Sequence, residues 1–253
     1  MPKYRFLIAA AATAAAVALA GCAGHPGKPR KPKPAAVMYK EAKSTLDAQN
    51  WKRAITEMQN VEATYPFGDY ATQAELDLIY AQYMSGDGDS AVDEADRFIR
   101  EHPRSKYVPY AMYMKGVATF PGGLNPLWKP FPVSPVGFDP NHTEQSFKAF
   151  HDLVSQYPKS PYAPDARQRM IYLRNRLAAY DMHVADYYIR RGAWLAAVRR
   201  AEDVMRNYPQ TPSVPAALKV MVTGYTKLGL DNFASAAQQM LDANKAAYSQ
   251  NGS

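Results

Sequence analysis

Few side chains of this 253-residue chain could do chemistry. Its single thiol, Cys22, excludes an intramolecular disulfide and any thiolate metal cluster, because both need a second cysteine. The five histidines are His25, His102, His142, His151 and His183, and none sits in an HExxH or other paired-ligand spacing. His151 and Asp152 are neighbours on a helical stretch and read as a surface pair, not a proton relay. Asp87-Gly88-Asp89 opens like a calcium loop. Its twelfth position is Phe98, where a bidentate glutamate is required, so the segment reads as a turn between helices. GxSxG, a phosphate loop and a Cys–His pair are all missing. The expectation is a protein with no catalytic residues, no metal ligands and no dissociable cofactor.

The chemistry that remains belongs to Cys22. Met1–Arg5 carries two positive charges, and Phe6–Ala20 is an apolar run interrupted only by Thr13. Spanning a bilayer takes about 20 residues, so this shorter run reads as an export signal. It ends Leu19-Ala20-Gly21-Cys22, which resembles the lipobox of bacterial lipoproteins. Small residues fit a peptidase, and the thiol is the nucleophile that accepts a diacylglycerol. Residues 1–21 are therefore expected to be removed, leaving Cys22 with diacylglycerol and an N-acyl chain. Ala23, where an aspartate would favour retention in the inner membrane, points to the outer membrane. Residues 22–36 are rich in proline and lysine and hold no large apolar side chain, which describes an extended tether. Its charges could also attract it to anionic lipid head groups.

The formal charge of +7 is concentrated in these same segments. Lys3, Arg5, Lys28, Arg30, Lys31 and Lys33 account for six of the 30 bases, and no acid precedes Glu41. Residues 37–253 thus hold 24 bases against 23 acids, a neutral body that excludes a nucleic-acid binder. With 47% apolar residues the chain has ample material for a core.

Four prolines set the register of that body. Tyr65-Pro66, His102-Pro103, Tyr157-Pro158 and Tyr208-Pro209 each close an amphipathic segment. Twelve residues before each proline stand Ala54, Ala91, Ser146 and Ala197. Eight before stand Met58, Ala95, Phe150 and Ala201, and five before stand Val61, Phe98, Leu153 and Val204. Fifteen before, two repeats carry Trp51 and Trp194. Such spacings form one helical stripe, and a small residue on it lets a partner helix approach closely. Another helix precedes each of these, at Tyr39–Ala48, Ala71–Met84, Tyr110–Thr119, Asp165–Arg191 and Ala216–Leu228. In the last unit Phe233 and Ala236 take the tryptophan and alanine columns. Helix, turn, helix, proline is the pattern of a tetratricopeptide repeat. The expected fold is all-α: a right-handed solenoid of about five such repeats over residues 37–253. A single unit of this size cannot bury its apolar face, but stacked units can.

The third and fourth repeats carry extra residues. Val117–His142, with six prolines and three glycines, is expected to be a loop. Residues 165–191 contain no proline or glycine and read as one extended helix. Arg167, Arg169, Arg174 and Arg176 on it read as a solvated face. Tyr39, Tyr80, Tyr83, Tyr110 and Tyr113 read as packing residues, some of which line an inner groove.

Longer segments carry a resemblance. The lipobox and tether are followed by Tyr65-Pro66-Phe67-Gly68, Leu76-Asp77-Leu78-Ile79-Tyr80-Ala81, Asp96-Arg97-Phe98-Ile99-Arg100 and Tyr113-Met114-Lys115-Gly116. Val184-Ala185-Asp186-Tyr187-Tyr188 and Arg191-Gly192-Ala193-Trp194 come next. The chain resembles the BamD/ComL family, the repeat lipoproteins of the machinery that folds β-barrels into the bacterial outer membrane. The resemblance fails in the proline-rich loop and the basic tether. It implies a non-enzymatic scaffold, anchored by lipid in the outer membrane and facing the periplasm. The partners it implies are the barrel subunit through its periplasmic domain, accessory assembly lipoproteins and unfolded outer-membrane protein segments. It implies a peptide groove near Tyr65, Phe67, Gly68 and Tyr70, and partner docking near Arg191, Trp194 and Arg200. Arg200 also breaks its own column, where Glu57, Glu94 and Ala149 stand in other repeats. A competing reading is a repeat lipoprotein that binds peptidoglycan or positions cell-wall enzymes.

Overall fold

The computed structural model describes residues 32–121 and 140–251. Cys22, the signal segment and most of the tether and proline-rich loop lie outside them. Ten helices follow one another among the described residues. They are α1 (Ala35–Asp47), α2 (Trp51–Thr64), α3 (Asp69–Met84), α4 (Gly88–Glu101), α5 (Val108–Ala118), α6 (Pro140–Gln156), α7 (Ala163–Arg190), α8 (Trp194–Asn207), α9 (Val214–Lys227) and α10 (Asp231–Asn251). Each packs on its neighbour in sequence, giving five helix pairs in series. The odd-numbered helices also touch one another, α1 with α3, α3 with α5 and α7 with α9. Closer approach between these first helices makes theirs the inner wall of the curved stack. No described helix is long and apolar enough to cross a membrane.

The prolines stop helices as expected. Tyr65, His102, Tyr157 and Tyr208 each donate a last backbone N–H to the carbonyl four residues back. The proline that follows has no N–H to continue and pushes the preceding residue out of helical geometry. Tyr65 accordingly sits at φ −135°, His102 at −122° and Tyr208 at −132°. A second punctuation restarts the chain. Pro103-x-Ser105-x-x-Val108-Pro109, Pro158-x-Ser160-x-x-Ala163-Pro164 and Pro209-x-Thr211-x-x-Val214-Pro215 share one pattern. The Ser105 and Ser160 hydroxyls accept the Tyr107 and Tyr162 N–H, and the second proline opens the next helix, where its missing donor costs nothing.

All twelve residues of the three columns are buried. Ser146 fits among the alanines because its hydroxyl donates to the Gly116 carbonyl at 2.8 Å. Gly116 is itself required, since a Cβ there would lie 2.6 Å from the Phe150 ring. The fifth repeat departs from expectation. Phe233 is 59% exposed and Ala236 is exposed, whereas Ala234, Ala237 and Leu241 are buried. Counting from the helix start, Asp231 takes the tryptophan position and Ala234 the alanine position. With no closing proline to count from, side-chain type alone misplaced the register.

Three further expectations are corrected. The tether is shorter, because Ala35 and Ala36 already belong to α1. The loop is shorter too, since α5 runs through Ala118 and α6 begins at Pro140. The arginines of α7 are not one solvated face. Arg169 is buried, donates to Asp165 at 2.5 Å and lies 4.5 Å over the Phe120 ring.

Candidate functional site

Two surfaces gather the candidate residues, one at each end of the stack. At the first turn, Tyr65 donates its hydroxyl to the Lys33 carbonyl at 2.8 Å, tying the incoming chain to the end of α2. Phe67 is 91% exposed. Gly68 has φ 105° and ψ 179°, a conformation open almost only to glycine, so backbone geometry is enough to require it. Tyr70 packs on Tyr39 with ring centres 5.7 Å apart. Tyr39 in turn donates to Asp77 at 2.8 Å, and Lys43 reaches the same carboxylate at 3.1 Å. The turn therefore presents an unsupported aromatic side chain beside a braced tyrosine pair.

Further aromatic pairs follow along the stack. Trp51 meets Tyr80 edge-on at 6.1 Å, and Tyr113 stacks on Tyr162 at 5.0 Å. Tyr113 donates to Asp165 at 2.7 Å. Burial, with the Asp165 hydrogen bond second, pushes its phenol up to about 12. Burial and Asp77 raise the Tyr39 phenol likewise. Both hydroxyls stay protonated donors at any physiological pH, so the wall is a fixed set of aromatic faces and hydrogen-bonding groups. Such a surface can grip an extended chain by area and backbone hydrogen bonds.

At the other end, the Arg191 guanidinium lies 5.0 Å from the Tyr187 ring centre. Trp194 opens α8 and is half-buried. Arg200 donates to Asp181 of α7 at 3.0 Å. Burial raises the Asp181 carboxyl, and Arg200 opposes that. Trp194 and Arg200 share a groove of about 710 Å³, with Leu195 and Leu228 on its walls. Leu195, Leu228, Leu230 and Phe233 are all exposed. Leu195 and Leu228, which meet in this groove, escaped the column analysis because they lie off the buried stripe. The signal for Leu195 was a large apolar side chain at a position the stripe leaves to solvent. Arg191, by contrast, is outside that groove and faces Tyr187. Asp77, Asp165 and Asp181, which hold the tyrosines and Arg200 in place, were also not singled out. His151 is exposed and lies 3.6 Å from Asp152, as a surface pair would.

The family model described as "YfiO: Outer membrane lipoprotein" matches residues 31–241. An outer membrane protein assembly factor BamD from Vibrio cholerae serotype O1 is 35% identical over 211 residues, covering 83% of this chain and 88% of that one. A protein of the same name from Xylella fastidiosa strain Temecula1 is 36% identical, covering 83% and 72%. One from Neisseria meningitidis serogroup A is 33% identical over 207 residues, covering 82% and 78%. Among solved structures, a Podosopora anserina putative kinesin light chain with TPR-like repeats aligns with 87% of this chain and 100% of its own. Its identity is 13% and its TM-score 0.37, too low to bear on the fold.

Proposed function

The chain belongs to the YfiO family of outer membrane lipoproteins, and from that premise we propose that it is a scaffold in the assembly of outer-membrane β-barrel proteins. The observation that carries this reading is a run of relatives, each named an outer membrane protein assembly factor, that match it over most of its length. The two surfaces suit the role. The aromatic inner wall and Phe67 would receive an extended segment of an unfolded barrel protein. The Trp194–Leu195 groove, lined also by Arg200, would dock the barrel subunit's periplasmic domain, with accessory lipoproteins joining the complex. Function on this reading is positioning, without catalysis. Cys22, carrying diacylglycerol and an N-acyl chain, would hold the solenoid on the periplasmic face of the outer membrane.

Gentle detergent extraction and co-purification test the proposal. Recovery of the barrel subunit with the tagged chain is the expected result. Recovery of murein synthases or hydrolases instead would move it to the cell wall. Mass spectrometry of the mature protein tests the anchor separately, and an unmodified Cys22 would remove it.

A further inference from the structure

The inter-repeat turn at residues 101–102 departs from its three counterparts. Where the others place Tyr65, Tyr157 or Tyr208, it places His102. The imidazole Nε2 lies 2.8 Å from Oε2 of Glu75, a residue of α3 that is only 5% exposed. Yet neither atom makes a well-aligned hydrogen bond, although both are buried. A histidine merely paired with glutamate would direct its N–H along that line. Glu101 adds a third ligand atom, and the three lie within 4.8 Å of one another. Tetrahedral metal–ligand bonds of about 2.0–2.2 Å set neighbouring ligand atoms about 3.3–3.6 Å apart, so the Glu75–His102 contact must open by about half an ångström to admit one ion.

The charge around this point needs a cation. Glu62, Glu75, Glu94 and Glu101 converge on one arginine, Arg97, and one histidine. Arg97 donates to Glu62 at 2.7 Å and to Glu94, and reaches Glu101 only at 3.4 Å. It makes no ion pair with Glu75. Arg97 therefore acts on the buried carboxylate only through space, and the imidazole is the cationic group in contact with it, while four carboxylates surround one guanidinium and one imidazole.

We infer that Glu75, Glu101 and His102 form a divalent metal site suited to Zn²⁺, with a solvent molecule as fourth ligand. One nitrogen and two carboxylate oxygens suit Zn²⁺ and are poor for Ca²⁺, which takes six or more oxygens. Glu101 is half-exposed, so it can close on the ion without disturbing the core. A bound ion ties α3 to the end of α4 and stiffens the turn leading into α5, beside the tyrosine-lined wall.

The full chain, freed of metal by a chelator, is titrated calorimetrically with Zn²⁺, and Co²⁺ serves as the visible-absorption probe. The expected result is one equivalent of Zn²⁺, a tetrahedral Co²⁺ spectrum and a higher thermal midpoint. His102→Tyr installs the side chain that three other turns already hold, so that variant should fold and bind at least tenfold more weakly. Glu101→Gln, on the exposed side, should do the same and covers the case of a misfolded His102→Tyr protein. Absence of saturable Zn²⁺ binding overturns the inference, as does binding that both substitutions leave intact.

Discussion

Gln49 is the one described residue other than glycine with positive φ, at 59°. It stands two residues before α2, where Gly86, Gly192 and Gly229 precede α4, α8 and α10 in the same conformation. A side chain there strains the backbone by about 1–2 kcal/mol, partly offset because glycine loses more entropy on folding. Gln49→Gly should therefore stabilise the protein by up to about 1 kcal/mol, read as a shifted urea midpoint; an unchanged or lower midpoint would refute the strain. Arg200 raises a different question at the same scale. Burial lifts the folded Asp181 carboxyl above its ordinary value, so the native state holds that proton longer than the unfolded chain does. Stability from this group is thus fully present below the ordinary carboxylate range and declines as pH rises through the raised value. Arg200 limits the decline. Arg200→Gln should cost about 1–2 kcal/mol at neutral pH, discounted for the arginine's partial exposure, and much less near pH 4. Equal costs at both pH values would mean that the ion pair contributes nothing. A glutamate at 200 would face Asp181 directly, so charge reversal there perturbs the fold as well as any docking.

Helix pairing rests on small residues at fixed places. Ala91 is fully buried, so Ala91→Leu pushes α4 away from the helices packed on it and should cost about 1–3 kcal/mol by overpacking. A thermal midpoint equal to wild type would place Ala91 outside the contact. Much of this level is legible in the sequence because its rules are local. Proline ends a helix wherever it falls, and columns counted back from it inherit the register. The same dependence explains the fifth repeat, where side-chain type points to Phe233 as the tryptophan equivalent and the helix start puts Asp231 there. Pairings between helices are harder to read. Arg169, Leu173, Leu177, Asp181 and Ala185 form one buried i, i+4 row, so the sequence does signal that two charged residues are in the core. That Asp181 meets Arg200, and that Arg169 meets Phe120, depends on how adjacent helices cross, which spacing along one helix does not contain. The candidate site divides the same way. Tyr65, Phe67, Gly68 and Tyr70 fall together because they share one turn. Leu228 reaches the Trp194 groove only through the packing of α8 and α9.

Across the whole molecule, the ends of the two proposed surfaces lie on different repeats: Phe67 stands at the turn between α2 and α3, and Leu195 lies on α8. A solenoid transmits contacts between neighbouring repeats, so a surface change at one end leaves the other end's packing alone. Phe67 and Leu195 both project into solvent, at 91% and 51% exposure. Substitution at such positions usually shifts stability by no more than about 0.5 kcal/mol. Phe67→Ala and Leu195→Glu should therefore fold normally, singly and together, with circular dichroism and melting close to wild type. Their binding effects should separate. Leu195→Glu puts a charge into an apolar groove that docking would dehydrate, so affinity for the barrel subunit's periplasmic domain should fall at least tenfold, about 1.4 kcal/mol. Capture of an unfolded barrel-protein segment should be unaffected. Phe67→Ala should show the reverse, because it removes exposed aromatic area at the first turn and touches nothing beyond it. Sites this far apart act independently, so the double variant should show each loss at the size seen in the corresponding single variant. If Leu195→Glu weakens both partners equally in a folded protein, the two ends are one coupled surface, and the division of labour between repeats is wrong.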